Sequence, residues 1–122
     1  MTWLAKTIRS ERRALERARR RFIAKPSEKR LHEVRTTGRR FRSLLEDVAE
    51  LAPSARLLRR VKRAAAATDA ARDATIILRL LQTSVDPSEL LVATPLLGEL
   101  RRREALATRR ARKQLRRMRF AS

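Results

Sequence analysis

One histidine and several arginines recur along a short stretch of the chain in a pattern that suits anion binding. Measured from His32 at about 100° per residue, three arginines lie within about 80° of it on a helix. They are Arg35, Arg39 and Arg42, whereas Arg40 projects away from this stripe. Guanidinium groups form bidentate, charge-assisted hydrogen bonds to phosphate oxygens. The spacing therefore predicts a cationic stripe beside the apolar face of a helix.

Two later segments also place arginines on or beside their apolar faces. On the predicted third helix, Arg72 and Arg79 lie within about 20° of the centre of the apolar face, where a core residue would point. On the predicted fourth helix, Arg103, Arg110 and Arg117 share one heptad position beside the apolar seam. We therefore expect arginines from at least three helices either to meet at a wet, cationic groove or channel between the helices, or to pair with acids.

The acidic residues are too few to neutralise this charge. The 122 residues include 32 Lys and Arg, of which 27 are Arg, against 13 Asp and Glu, so the net charge is +19. Acids such as Glu11, Asp69 and Asp73 can pair with only part of the excess. A buried guanidinium without a counter-charge is costly, so a bound polyanion is the natural partner. Other arginines are expected to be a solvated face: Arg19, Arg20, Arg21, Arg59, Arg60, Arg101 and Arg102.

The sequence offers little for catalysis. It contains no Cys and a single His, which excludes a thiolate metal site and leaves His32 without the partners of a nucleophilic triad. Gly38 and Gly98 are isolated and form no phosphate-binding loop. Glu46 lies four residues after Arg42, the spacing of a helical ion pair. We therefore expect a non-catalytic protein that requires no metal and no cofactor.

The elements that position these residues are predicted to be helices. Prolines and capping residues divide the chain into helices at about residues 2–24, 27–51 and 53–83. The fourth helix begins near Asp86, with a kink at Pro95, or begins at Thr94, and runs to the C-terminus. Ile76 and Leu80 belong to the predicted apolar seam of the third helix. Four long helices with short connections predict an all-α, antiparallel four-helix bundle that forms one domain over residues 1–122.

Two stretches resemble a known family. Residues 31–42, with the pattern H-x-x-R-x-x-x-R-R-x-R, are similar to the signature of the CHAD domain, the conserved histidine α-helical domain, and residues 61–76 resemble its third-helix segment. The resemblance implies an all-helical module associated with polyphosphate granules, in which basic residues line a groove that holds inorganic polyphosphate. Carried over by position, the binding set is His32, Arg35, Arg39, Arg40, Arg42, Lys62 and Arg72. Helical geometry alone adds Arg79, Arg103 and Arg110.

The chain departs from that family in two respects. Asp69 stands where the family tends to have a glycine. In addition, the typical CHAD domain is about twice as long and consists of two similar four-helix halves. We therefore expect a homodimer, in which a second copy about a two-fold axis completes an eight-helix assembly.

Two kinds of polyanion fit the charge, because phosphate density drives the binding of both polyphosphate and nucleic acid. Proteins that bind single strands usually expose aromatic platforms. Here Trp3, Phe22, Phe41 and Phe120 do not interleave with the basic stripe, which favours polyphosphate; non-specific nucleic-acid binding is the alternative. No apolar run reaches the ~18 residues of a membrane span, and the N-terminus lacks a signal-peptide core, so we expect a cytoplasmic protein, on polyphosphate granules where these form.

Overall fold

The computed structural model describes residues 2–121, with side chains from residue 3, and in this range the chain forms four α-helices that pack antiparallel. The helices are α1 (Thr2–Ala24), α2 (Glu28–Asp47), α3 (Ala55–Ser84) and α4 (Leu90–Arg116), and a short 3-10 turn (Pro87–Glu89) precedes α4. The predicted all-α, antiparallel architecture is confirmed.

Capping groups at the α1–α2 turn explain why the chain reverses there. The Ser27 hydroxyl accepts a hydrogen bond from the backbone N–H of Arg30 at 3.1 Å, and Glu28 places a carboxylate in the first turn of α2. The Arg30 guanidinium in turn donates to the carbonyl of Arg21 at 2.8 Å near the end of α1. The turn thus satisfies backbone groups that both helix ends leave free.

The predicted boundaries of two helices require correction. α2 ends at Asp47 rather than near residue 51, and residues 48–52 form a turn. α4 begins at Leu90 with Pro95 inside it, and it ends at Arg116 instead of continuing to the C-terminus. Beyond α4 the chain leaves the helix because Phe120 is buried and its N–H donates to the Glu16 carboxylate at 2.9 Å.

A hydrophobic core lies between the four helices. Large side chains from all of them are fully enclosed, and the C-terminal segment contributes one more. The most deeply buried of these are Leu15 and Phe22 of α1, Phe41 and Leu45 of α2, Val61 of α3, Leu115 of α4 and the terminal Phe120. Burying a side chain of this size contributes about 1.5–3 kcal/mol, so these residues supply much of the stability.

The α3–α4 hairpin projects beyond the α1–α2 turn. Glu28, the first residue of α2, forms an ion pair with Arg79 of α3, so the part of α3 after Arg79 extends past the end of α1 and α2. We call residues 76–96 the hairpin tip. The predicted burial of Ile76 and Leu80 is wrong, because their side chains are 39% and 60% exposed, although Leu78 within the tip stays buried.

The structure also corrects the predicted orientation of two arginines. Arg72 and Arg79 lie on the side of α3 that the periodicity assigned to the core, but both side chains are exposed. The buried positions of α3 are Val61, Ala64, Thr68, Ala71 and Leu78. In its second half, α3 has fewer neighbours than the pattern assumes.

Candidate functional site

A pocket of about 680 Å³ lies between α2 and the second half of α3, and we call it pocket A. Its lining residues are Glu28, Lys29, Leu31, His32, Arg35, Arg39, Arg72, Thr75 and Ile76. Four of the ten predicted site residues, namely His32, Arg35, Arg39 and Arg72, therefore line one pocket. α2 presents the first three because their spacing places them on one side of the helix.

Arg35 is the most firmly positioned cation of pocket A. Its Nη1 donates to the hydroxyl of Thr68 at 2.8 Å, to a carboxylate oxygen of Asp69 at 2.8 Å and to the carbonyl of Ala65 at 3.4 Å. The side chain is 15% exposed. Its Nε and Nη2 donate to no acceptor in the described part of the chain. Arg35 is thus fixed to α3 through one nitrogen, and the other two can bind an anion.

Arg39 and Arg72 supply further positive charge at this pocket. Both side chains are exposed, and within residues 3–121 neither forms an ion pair with a carboxylate. Arg35 and Arg39 also line an adjoining cavity of about 210 Å³, together with Gly38, Arg42 and other residues. Pocket A therefore continues along α2 towards Arg42.

Arg42 forms the ion pair that the sequence predicts. Its Nε donates to the Glu46 carboxylate at 2.8 Å across one helical turn. This hydrogen bond holds the pKa of Glu46 below its usual value. Because both side chains are about half exposed, the pair adds little to stability and leaves Arg42 accessible to an anion.

His32 is an exposed member of the lining. Its Nε2 lies 3.3 Å from the Thr36 hydroxyl one turn along α2. Among the described residues there is no group of three or more His, Cys, Asp and Glu that could hold a metal ion. At this position His32 can donate a hydrogen bond to an anion in pocket A.

Two predicted site residues contact acids of other helices. Arg40 projects away from the stripe, as expected, and its Nε donates to the Glu11 carboxylate of α1 at 3.1 Å. Arg79 pairs with Glu28, which itself lines pocket A. The charge of each arginine is therefore partly balanced by a neighbouring carboxylate.

The remaining predicted residues lie outside pocket A. Lys62 is exposed on α3 and lines neither pocket A nor the adjoining cavity. Arg103 pairs with Glu99 at 3.3 Å within α4, and Arg110 is exposed on the same helix. Pocket A is built from α2 and α3, and neither Arg103 nor Arg110 of α4 lines it.

A buried carboxylate was missed in the sequence. Glu16 is 4% exposed and accepts hydrogen bonds from Arg19, Arg20 and the N–H of Phe120 at 2.7–2.9 Å. Burial alone would raise the pKa of Glu16, but these hydrogen bonds outweigh it and lower the pKa to about 2. Arg19 is also buried and donates to the Leu115 carbonyl at 2.8 Å, so its assignment to a solvated face is wrong. The spacing of Glu16 to Arg19 and Arg20 is the signal that could have identified this pairing.

These features define an all-α, strongly basic helical bundle whose arginines cluster at a pocket between two helices. The family model of the CHAD domain matches residues 4–122, and the chain therefore belongs to the CHAD family. This family is associated with polyphosphate binding and is generally a non-catalytic binding domain. Neither the curated proteins nor the solved structures that were searched include a match to the chain. Among the described residues, no helix has the length and apolar character needed to cross a bilayer.

Proposed function

We propose that residues 1–122 act as one domain that binds inorganic polyphosphate at pocket A and associates through it with polyphosphate granules, without catalysis. The observation that carries the proposal is the geometry of Arg35, which is held against α3 through Nη1 and has Nε and Nη2 free of protein acceptors in the described chain. Arg39 and Arg72 stand at the same pocket without carboxylate partners among those residues. An anion with several phosphates can contact all three.

The predicted site residues fall into two groups according to how they would act on a polyphosphate chain. We assign the direct contacts to His32, Arg35, Arg39 and Arg72, which line pocket A, and to Arg42, which lines the cavity beside it. We propose that the other predicted residues attract a longer chain through their charge from outside the pocket; these are Arg40, Lys62, Arg79, Arg103 and Arg110. Such exposed charges act at distances up to about 8–10 Å at physiological salt.

The positions of the aromatic residues favour polyphosphate over single-stranded nucleic acid. Phe22, Phe41 and Phe120 are completely buried and cannot stack on a base. Trp3 is 75% exposed but lies at the beginning of α1 and does not line pocket A. Double-stranded nucleic acid, which can be bound through phosphates alone, is the alternative ligand because the net charge of +19 attracts it equally well.

Competition between the two polyanions tests the proposal. We expect long-chain polyphosphate to bind more tightly than length-matched DNA at physiological salt. The double variant Arg35→Glu/Arg39→Glu should lose about tenfold or more in polyphosphate affinity, because charge-assisted hydrogen bonds are lost. Arg39→Glu/Arg72→Glu should show the same loss, and it changes exposed residues alone, so folding is preserved.

Arg101→Glu/Arg109→Glu is the matched control, since it changes the charge equally at exposed positions on α4 that do not line pocket A. DNA binding as tight as polyphosphate binding would favour the alternative function. Equal losses in the control and in the pocket variants would show that net charge, rather than pocket A, determines affinity.

We further propose that the protein forms a homodimer through the hairpin tip. The tip exposes apolar side chains and contains one arginine and two acids, whereas the whole chain carries +19. Two such chains repel each other elsewhere, so this nearly neutral surface suits a second copy. Ile76 belongs to both the tip and pocket A, so a second copy bound at the tip would lie next to the site. Light scattering tests this proposal, and a monomeric mass with full binding would contradict it.

A further inference from the structure

A second arginine-lined pocket, of about 710 Å³, lies between the first half of α3 and the C-terminal end of α4. We call it pocket B. Its lining residues are Arg60, Arg63, Ala66, Ala67, Gln114, Arg117, Met118 and Arg119. Half of these residues are arginines, and the proposed function assigns no role to any of them.

One wall of pocket B is held in place by the C-terminal segment. The Arg60 guanidinium donates to the carbonyl of Arg119 at 2.8 Å. The next residue, Phe120, is fully buried, and its N–H is bound by Glu16. The backbone that carries Arg119 is therefore fixed on both sides, and pocket B does not depend on a loose chain end.

The arginines of pocket B have no carboxylate partners in the part of the chain that the structure describes. Among the described residues, none of Arg60, Arg63 and Arg117 forms an ion pair, and neither does Arg119. This differs from pocket A, where Asp69 pairs with Arg35. The repulsion between these like charges is relieved when an anion enters the pocket.

The start of α3 is rich in cations, although the helix dipole disfavours cations at a helix N-terminus. A helix N-terminus carries a partial positive charge and favours acids, yet the first turn of α3 contains no acid. The first nine residues of α3 instead include five cations, namely Arg56, Arg59, Arg60, Lys62 and Arg63. This arrangement is unfavourable for the isolated helix and favourable for binding a polyanion.

Pockets A and B are separate sites. Arg63 lines pocket B and Arg72 lines pocket A, and residues nine apart on a helix point in directions about 180° from each other. Pocket A also lies between α2 and α3, whereas pocket B lies between α3 and α4. A short phosphate chain in one pocket therefore leaves the other free.

We propose that pocket B is a second polyphosphate-binding site, so that one domain binds two chain segments at once. This inference rests on the proposed function, because it assumes the same ligand. The alanines of the lining leave room for a chain beside the guanidinium groups, and the lining contains no aromatic side chain that could stack on a base. Two separate sites would let the protein link neighbouring polyphosphate chains.

Calorimetric titration with a short polyphosphate chain tests the proposal. We expect two classes of sites in the unchanged protein. Arg63→Gln/Arg117→Gln should weaken one class by about tenfold or more and leave the other unchanged, because charge-assisted contacts are lost in pocket B alone. Arg39→Gln/Arg72→Gln should weaken the other class. Arg60 is not changed because it holds the backbone of Arg119.

The matched control is Arg101→Gln/Arg109→Gln, which removes the same charge from positions outside both pockets and should keep both classes. The titration of the unchanged protein could instead show one class of sites, with the pocket B variant binding polyphosphate as tightly as the control. In that case pocket B is not a site and the proposed function stands. If the unchanged protein does not bind polyphosphate, the proposed function fails and this inference fails with it.

Discussion

The four-helix part of the molecule, by which we mean the described chain outside residues 76–96, buries polar groups with hydrogen-bond partners, whereas the hairpin tip exposes apolar side chains. Inside the four-helix part, buried side-chain nitrogen and oxygen atoms of the described residues all have hydrogen-bond partners, and Glu16 and Arg19 neutralise each other. At the tip, Leu91 is 91% exposed and neighbouring apolar residues are left in contact with solvent. The bundle is therefore complete by itself, whereas the tip is a surface that a second copy can cover.

The largest expected effect comes from breaking the buried network of the four-helix part. Glu16→Ala leaves Arg19 buried without a counter-charge and the N–H of Phe120 without an acceptor. We expect a loss of about 3–5 kcal/mol in the free energy of unfolding, measured by urea denaturation. Glu46→Ala removes an exposed carboxylate that pairs with Arg42 and should behave almost like the unchanged protein. Equal losses in both variants would contradict a special role for Glu16.

Low pH should break the same ion pair without a mutation, because it protonates the Glu16 carboxylate. The pKa of Glu16 is about 2 in the folded protein and lies near 4.5 in the unfolded chain. A lowered folded-state pKa stabilises the protein fully above pH 4.5, and this contribution, about 3 kcal/mol, is lost as the pH falls from 4.5 to 2. The measurement is the difference in unfolding free energy between the unchanged protein and Glu16→Gln across this range. A difference that does not change with pH would contradict the ion pair.

Charged substitutions at the hairpin tip should weaken the association of two copies and leave folding unchanged. Leu80→Glu/Leu91→Glu adds charge to exposed apolar positions, so it leaves the core of the four-helix part unchanged. We expect dimer dissociation to become easier by about a hundredfold or more, which corresponds to about 2.7 kcal/mol, and light scattering should give a monomeric mass. Arg101→Glu/Arg109→Glu is the control on the bundle surface and should stay dimeric. A variant that unfolds would show that the tip is part of the core.

The smallest effect concerns an exposed acid of the four-helix part. Asp69 pairs with Arg35 but is 58% exposed, unlike Glu16. Asp69→Asn should leave stability nearly unchanged and should raise polyphosphate affinity by up to about fivefold, since an exposed pair is worth up to about 1 kcal/mol. Asp73→Asn makes the same charge change one turn farther along α3, where the described structure shows no ion pair, and serves as the control. Equal gains in both variants would show that the loss of any negative charge, rather than the loss of the pair with Arg35, raises the affinity.

Much of the architecture could be predicted because it depends on local pattern. The bounds of α1 and the pair of Arg42 with Glu46 follow from helical spacing and appear as expected. The burial of Arg19 and the exposure of Arg72 could not be predicted, because they depend on which helix covers a face and how far it extends. Pocket B was missed for the same reason: Arg63 and Arg117 are 54 residues apart in the sequence and meet only through the packing of α3 on α4.

The fixed position of Arg35 affects the temperature dependence of binding. Its side chain is ordered by Thr68, Asp69 and the carbonyl of Ala65, so it loses its rotamer freedom when the protein folds. Arg39 and Arg72 are exposed and must lose that freedom when the ligand binds. Contacts made by Arg35 therefore carry a smaller entropic penalty, and removing Arg35 should make polyphosphate binding weaken more steeply on heating than removing Arg39.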